Sequence, residues 1–113
     1  MIDTRNPNGP VGGPALQAGA DRNFTLAGNC GIPQTAIAVS VNVTVTDPTA
    51  PGNLTIFAAG NPMPGTSSIN YSAGQTRANN ALVAPNGSGA MTVHCNQSSG
   101  TVQFILDVSG YFQ

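Results

Sequence analysis

AIAVSVNVTVT, residues 36–46, sets Ile37, Val39, Val41, Val43 and Val45 at every second position, with Ala38, Ser40, Asn42, Thr44 and Thr46 between them. Period-two alternation over this length is the mark of a half-buried β-strand. At ~3.3 Å per residue it spans roughly 36 Å, the full height of a small β-domain. Burying the five branched side chains contributes on the order of 8–15 kcal/mol gross, before chain entropy is set against it. The opposite face is small and hydroxylated and suits water or a polar neighbour.

Outward from this strand the same period recurs. Strands are predicted over 23–27, 53–59, 67–71, 75–84, 90–95 and 101–108, separated by GNCGIP, DPTAPG, NPMPG, SAG, PNG and NQSSG turns. Asp47 and Pro48 end the long strand, and the short Pro/Gly link to 53–59 predicts a hairpin. In 75–84, Thr76, Ala78, Asn80 and Leu82 share one face; in 101–108, Val102, Phe104, Leu106 and Val108 do so. The opening twenty residues hold three Pro and four Gly, which excludes a regular helix or long strand. Residues 1–22 are therefore expected as an extended arm, packed on the domain or exchanged between domains. About seven strands without a helical period predict an all-β single domain over 1–113: an antiparallel β-sandwich of jelly-roll or Greek-key type, with a barrel as the alternative. No internal repeat indicates a solenoid or propeller.

Composition narrows the partners. Three Arg, no Lys, four Asp and no Glu leave 6% charged residues, against a usual ~25%. Such a chain has neither the basic patch that nucleic acid requires nor the polybasic segment that binds anionic membranes. No run of apolar residues is long enough for a membrane span, so membrane insertion is not expected. The first residues lack the features of a secretory leader, which suggests a processed or excised module or another route of export. Cys30 and Cys95 are too few for a zinc site, and a disulfide between them is expected. It would stabilise the fold by roughly 4 kcal/mol and place it outside a reducing cytosol. Two buried free thiols are the alternative.

Four phrases carry a resemblance: IDTRNPNGPVGGP from Ile2, the block from GNCGIP to IFAAG, SSINYSAGQTRANNALV, and the terminal FILDVSGYF. In this order, across Ile2 to Phe112, they resemble a family of repeated β-modules in secreted and cell-surface proteins of actinobacteria, acidobacteria and related bacteria. The resemblance implies an extracellular location and tandem use or fusion to enzymes and surface regions. It implies no catalytic activity, ligand or active-site residues.

Asp3, Arg5, Arg77 and Asp107 lie in those phrases and are four of only seven charged residues. An acid–base or ion site is one reading; the favoured one is a structural ion-pair network tying the arm to the closing strand, since Arg bridges carboxylates bidentately. His94 is adjacent to Cys95, but strand neighbours point to opposite faces, so a Cys–His nucleophile pair is not expected. Neither a serine-hydrolase elbow, phosphate loop, HExxH nor calcium loop occurs, and Asp47 and Asp107 are too isolated for calcium; no cofactor or metal is expected. Tyr71 and Tyr111 are the candidates for stacking on a sugar, in a chain without Trp. Six Asn-x-Ser/Thr sequons begin at Asn23, Asn42, Asn53, Asn70, Asn86 and Asn96. The expectation is a non-catalytic extracellular structural or adhesive module that assembles with copies of itself, neighbouring modules or a surface partner, because its neutral faces lack the charged residues that keep strand edges apart. A carbohydrate-binding module, recognising a surface glycan, is the alternative.

Overall fold

A computed structural model describes residues 1–29 and 31–113. They form β1 (Ile2–Asp3), β2 (Leu16–Gln17), β3 (Asp21–Thr25), β4 (Ala38–Thr46), β5 (Gly52–Ala58), β6 (Ile69–Tyr71), β7 (Arg77–Val83), β8 (Ala90–Gln97) and β9 (Thr101–Phe112), with no helix among the described residues. One sheet runs β1-β9-β4-β7, with β2 also pairing β9, and the other runs β3-β8-β5-β6. Paired strands are antiparallel throughout. With β1 and β2 taken as one interrupted strand, the pairs nest: β5 with β6, β4 with β7, β3 with β8, and β1/β2 with β9. Successive pairs alternate between the two sheets, which is the winding of a jelly roll.

The core lies between the sheets. Val39, Val41, Val43 and Val45 of β4 and Phe104 and Leu106 of β9 face Phe24, Leu54, Met91 and Val93 of the other sheet, all at most 1% exposed. Phe24 and Phe104 meet across the interior with ring centroids 5.7 Å apart, within the range that favours tilted aromatic pairs. Ile37 departs from the expected buried set. It precedes β4 and is 65% exposed.

Two other expectations are corrected. The link after β4 is not a hairpin, since β4 pairs with β7 and β9 while β5 pairs with β6 and β8. Two prolines within five residues suit a crossing between sheets rather than the two-residue primed turn of a hairpin. Ala78, Asn80 and Leu82 do share one face of β7, and it is the solvent face, because their β4 partners Thr44, Asn42 and Ser40 point outward. The final strand does not stop at Val108 but continues to Phe112 past a bulge opposite Ser40 and Val41.

The arm packs on its own domain through β9. Ile2 and Asp3 pair with Leu106 and Ile105, and Leu16 and Gln17 with Val102 and Thr101. Buried Thr4 adds a side-chain link: its Oγ1 donates to Gln103 Oε1 at 2.6 Å and accepts from the Phe104 N–H at 2.8 Å. Asp21 and Arg22, expected in the arm, belong instead to β3.

Candidate functional site

The four charged residues grouped by sequence are not brought together. Asp3 and Arg5 form a local bidentate pair, with Arg5 Nε and Nη2 donating at 3.0 and 2.8 Å to the two carboxylate oxygens and the Arg5 backbone N–H donating at 3.0 Å. Those bonds, the guanidinium's first, hold the Asp3 carboxyl down at about 2. Arg77 sits at the start of β7 and donates to the Asn70 carbonyl across the mouth of the sandwich. Asp107 is exposed, and its carboxylate lies 3.6 Å from the amino group of Met1. Two strands separate Arg77 from the arm, because β9 and β4 lie between β1 and β7.

A residue that the grouping left out anchors the arm. The Arg22 guanidinium donates from Nη1 to Pro14 O at 2.7 Å and from Nη2 to Gly12 O at 2.7 Å, Gly9 O at 2.8 Å and Gly13 O at 3.2 Å. Its Cζ lies 4.7 Å from the centroid of the Phe24 ring, close enough for cation–π attraction. The planar fork thus gathers carbonyls that a glycine- and proline-rich segment cannot satisfy in a ladder.

Tyr71 and Tyr111 do not form a platform. Tyr71 is 5% exposed and its hydroxyl donates to Gln97 Oε1; burial, and then the neighbouring Cys95, pushes that hydroxyl well above its ordinary value. Tyr111 is exposed near the end of β9. The expected disulfide involves Cys30, which lies outside the described residues. Cys95 is a buried free thiol, its Sγ 3.7 Å from Gln97 Oε1, and burial pushes it up.

Two surfaces stand out. The outer face of the β3-β8-β5-β6 sheet is laid out in cross-strand rows. Asn96, Asn53 and Asn70 are in register across β8, β5 and β6, and Asp21, His94 and Thr55 across β3, β8 and β5. Asp21 Oδ1 lies 2.5 Å from His94 Nδ1, so the carboxylate fixes the imidazole. Residues 63–67 rise beside these rows and wall a cleft of about 340 Å³ whose floor is Asn53, Thr55, His94 and Asn96. Among the described residues no hydroxyl hydrogen-bonds to His94, and no three His, Cys, Asp or Glu side chains gather as a metal would require. Asp21 was missed because its strand pairing, not its position in the chain, puts it beside His94. The Asn53/Thr55 and His94/Asn96 alternations did carry a signal, each marking one polar strand face.

The second surface is apolar and lies at one end of the other sheet. Leu82 and Phe112, 68% and 54% exposed, flank β4 on its outer side, opposite Ser40 and Ala38 respectively. Ile37 reaches the same end through its N–H bond to Phe112 O, and Tyr111, 46% exposed, lies opposite Val39. A cleft between residues 34–37 and 85–87 adjoins it. On the edge of β9 away from β4, β1 reaches only Leu106, so the strand is unpaired there from Val108 to Phe112 among the described residues. No helix is long and apolar enough to cross a membrane. No family model matches the chain, and no curated protein shows significant similarity to it.

Proposed function

We propose that the chain is a non-catalytic, extracellular structural module that associates with a second copy or a neighbouring module through the apolar end of the β1-β9-β4-β7 sheet. The observation that carries this reading is four exposed apolar side chains at one end of the sheet, Leu82 and Phe112 on its outer face and Ile37 and Tyr111 on the face that carries Val39, beside an unpaired strand edge. Apolar side chains exposed beside an open edge are the usual material of protein contacts and of strand addition. The extracellular setting and tandem use rest on the four phrases that resemble repeated surface modules.

The magnitudes decide what kind of association this is. Partly shielded already, the four side chains would contribute on the order of 5 kcal/mol from each copy. Association costs an estimated 4–15 kcal/mol, so two separate copies bind weakly. Linkage in tandem raises the effective concentration to millimolar and makes the same contact persistent. Light scattering and sedimentation across a concentration series should show a reversible increase in mass that Leu82→Asp abolishes. A monomer at every concentration, or an increase that Leu82→Asp leaves unchanged, refutes the proposal.

A further inference from the structure

We infer that the cleft on the opposite sheet, between the Asn53-Thr55 and His94-Asn96 rows and residues 63–67, is a binding site for a neutral saccharide. Its floor offers two amides, a hydroxyl and an imidazole at fixed cross-strand spacings. The side chains of Asn53, Thr55 and Asn96 make no hydrogen bond among the described residues, although neighbours such as Thr92 and Ser67 pair with Asn23 and Asn70. Amides and hydroxyls each donate and accept, as do the vicinal hydroxyls of a sugar ring.

Charge selects the same class. His94 and Asp21 are the ionisable groups at the cleft, and they engage each other, so neither is left to attract a phosphate or a uronate. With Nδ1 held by Asp21, His94 Nε2 is left for a ligand. Met63, 52% exposed, and Pro64 supply an apolar wall for the C–H face of a ring where no aromatic platform exists. The volume of about 340 Å³ falls at the small end of ligand sites, ~300–1,000 Å³. One or two sugar units on a longer chain would fill it. The site is independent of the apolar end, which belongs to the other sheet.

The test is NMR titration of the labelled chain with maltotetraose, cellotetraose, xylotetraose and chitotetraose, with a tetragalacturonide and inorganic phosphate as charged comparators. At least one neutral tetrasaccharide should shift the amides of residues 53–55, 63–67 and 94–96. Asn96→Ala and Asn53→Ala, both at the surface of a retained fold, should each weaken that binding about tenfold, ~1.4 kcal/mol per lost partner. Leu82→Asp should leave it unchanged, which separates this site from self-association. The inference is overturned if no neutral sugar binds at millimolar concentration, if the charged ligands bind more tightly, or if the shifts fall outside the cleft.

Discussion

Replacing Arg22 with Ala should loosen the arm and lower the stability of the whole domain. Nη2 carries two hydrogens, so of its three carbonyl partners the Gly13 oxygen at 3.2 Å is surplus to the pair at 2.7 and 2.8 Å. Those two charge-assisted bonds are part-buried and contribute about 1 kcal/mol each once solvent screening is allowed for. The exposed bond to Pro14 and the Phe24 contact add about 0.5 kcal/mol each. The loss is therefore about 3 kcal/mol. For 113 residues at ~2.1 cal/mol/K each, the unfolding entropy is ~0.24 kcal/mol/K, which converts that loss to a fall of about 12 °C in Tm. Circular dichroism measures the shift, and hydrogen exchange should locate the first loss of protection at the Asp3, Gly9, Gly12 and Gly13 amides that hold the arm's turns together. Arg22→Lys keeps the charge but not the fork and should recover less than half. If Arg22→Ala melts within about 4 °C of the parent, equivalent to ~1 kcal/mol, the guanidinium does not anchor the arm.

Acid and thiol chemistry provide two more tests. The Asp3 carboxyl is lowered from 3.8 to about 2 by Arg5; a depressed folded value stabilises above the unfolded value and is lost as pH falls through the folded one. Protection of the arm amides should therefore decline between about pH 4 and pH 2, and Asp3→Asn should remove that step; superimposable acid profiles of the two proteins would rule it out. Cys95 is buried and its thiol is pushed up, so Ellman's reagent should react with it only after denaturation. A Cys30–Cys95 crosslink in a non-reducing peptide map would contradict the free thiol.

The sandwich was legible because alternation reports burial directly. Val39 to Val45 each face the core because one side of β4 is covered and the other wet, and a period of two records that difference. Pairing partners were less legible, since the alternating faces of β4 and β5 would suit a hairpin as well as strands in facing sheets. The two prolines of the link were read as a turn, although a longer path between sheets accommodates them equally. Arg22 was overlooked because its partners are backbone carbonyls of Gly9, Gly12, Gly13 and Pro14, and no residue type announces a carbonyl that needs a donor.

The grouping of Asp3, Arg5, Arg77 and Asp107 followed from their scarcity, and scarcity is a poor guide to proximity. In a jelly roll the distance between two residues is set by how the nested strand pairs wind, so Asp21 meets His94 across 73 positions while Arg77 and Asp3 lie on strands at opposite edges of one sheet. The same winding turns scattered sequons into a surface. Asn53, Asn70 and Asn96 come from three separate Asn-x-Ser/Thr triplets, yet register aligns them in one row on one face. What reads along the chain as a compositional excess of Asn and Thr is, across the strands, an ordered array of donors and acceptors. The apolar residues are sorted by the same geometry: the valines of β4 close the interior, and Ile37, Leu82, Tyr111 and Phe112 lie exposed at one end of the same sheet. The polar cleft and the apolar end thus lie on separate sheets, so the proposed saccharide contact and the proposed module contact do not compete for the same surface.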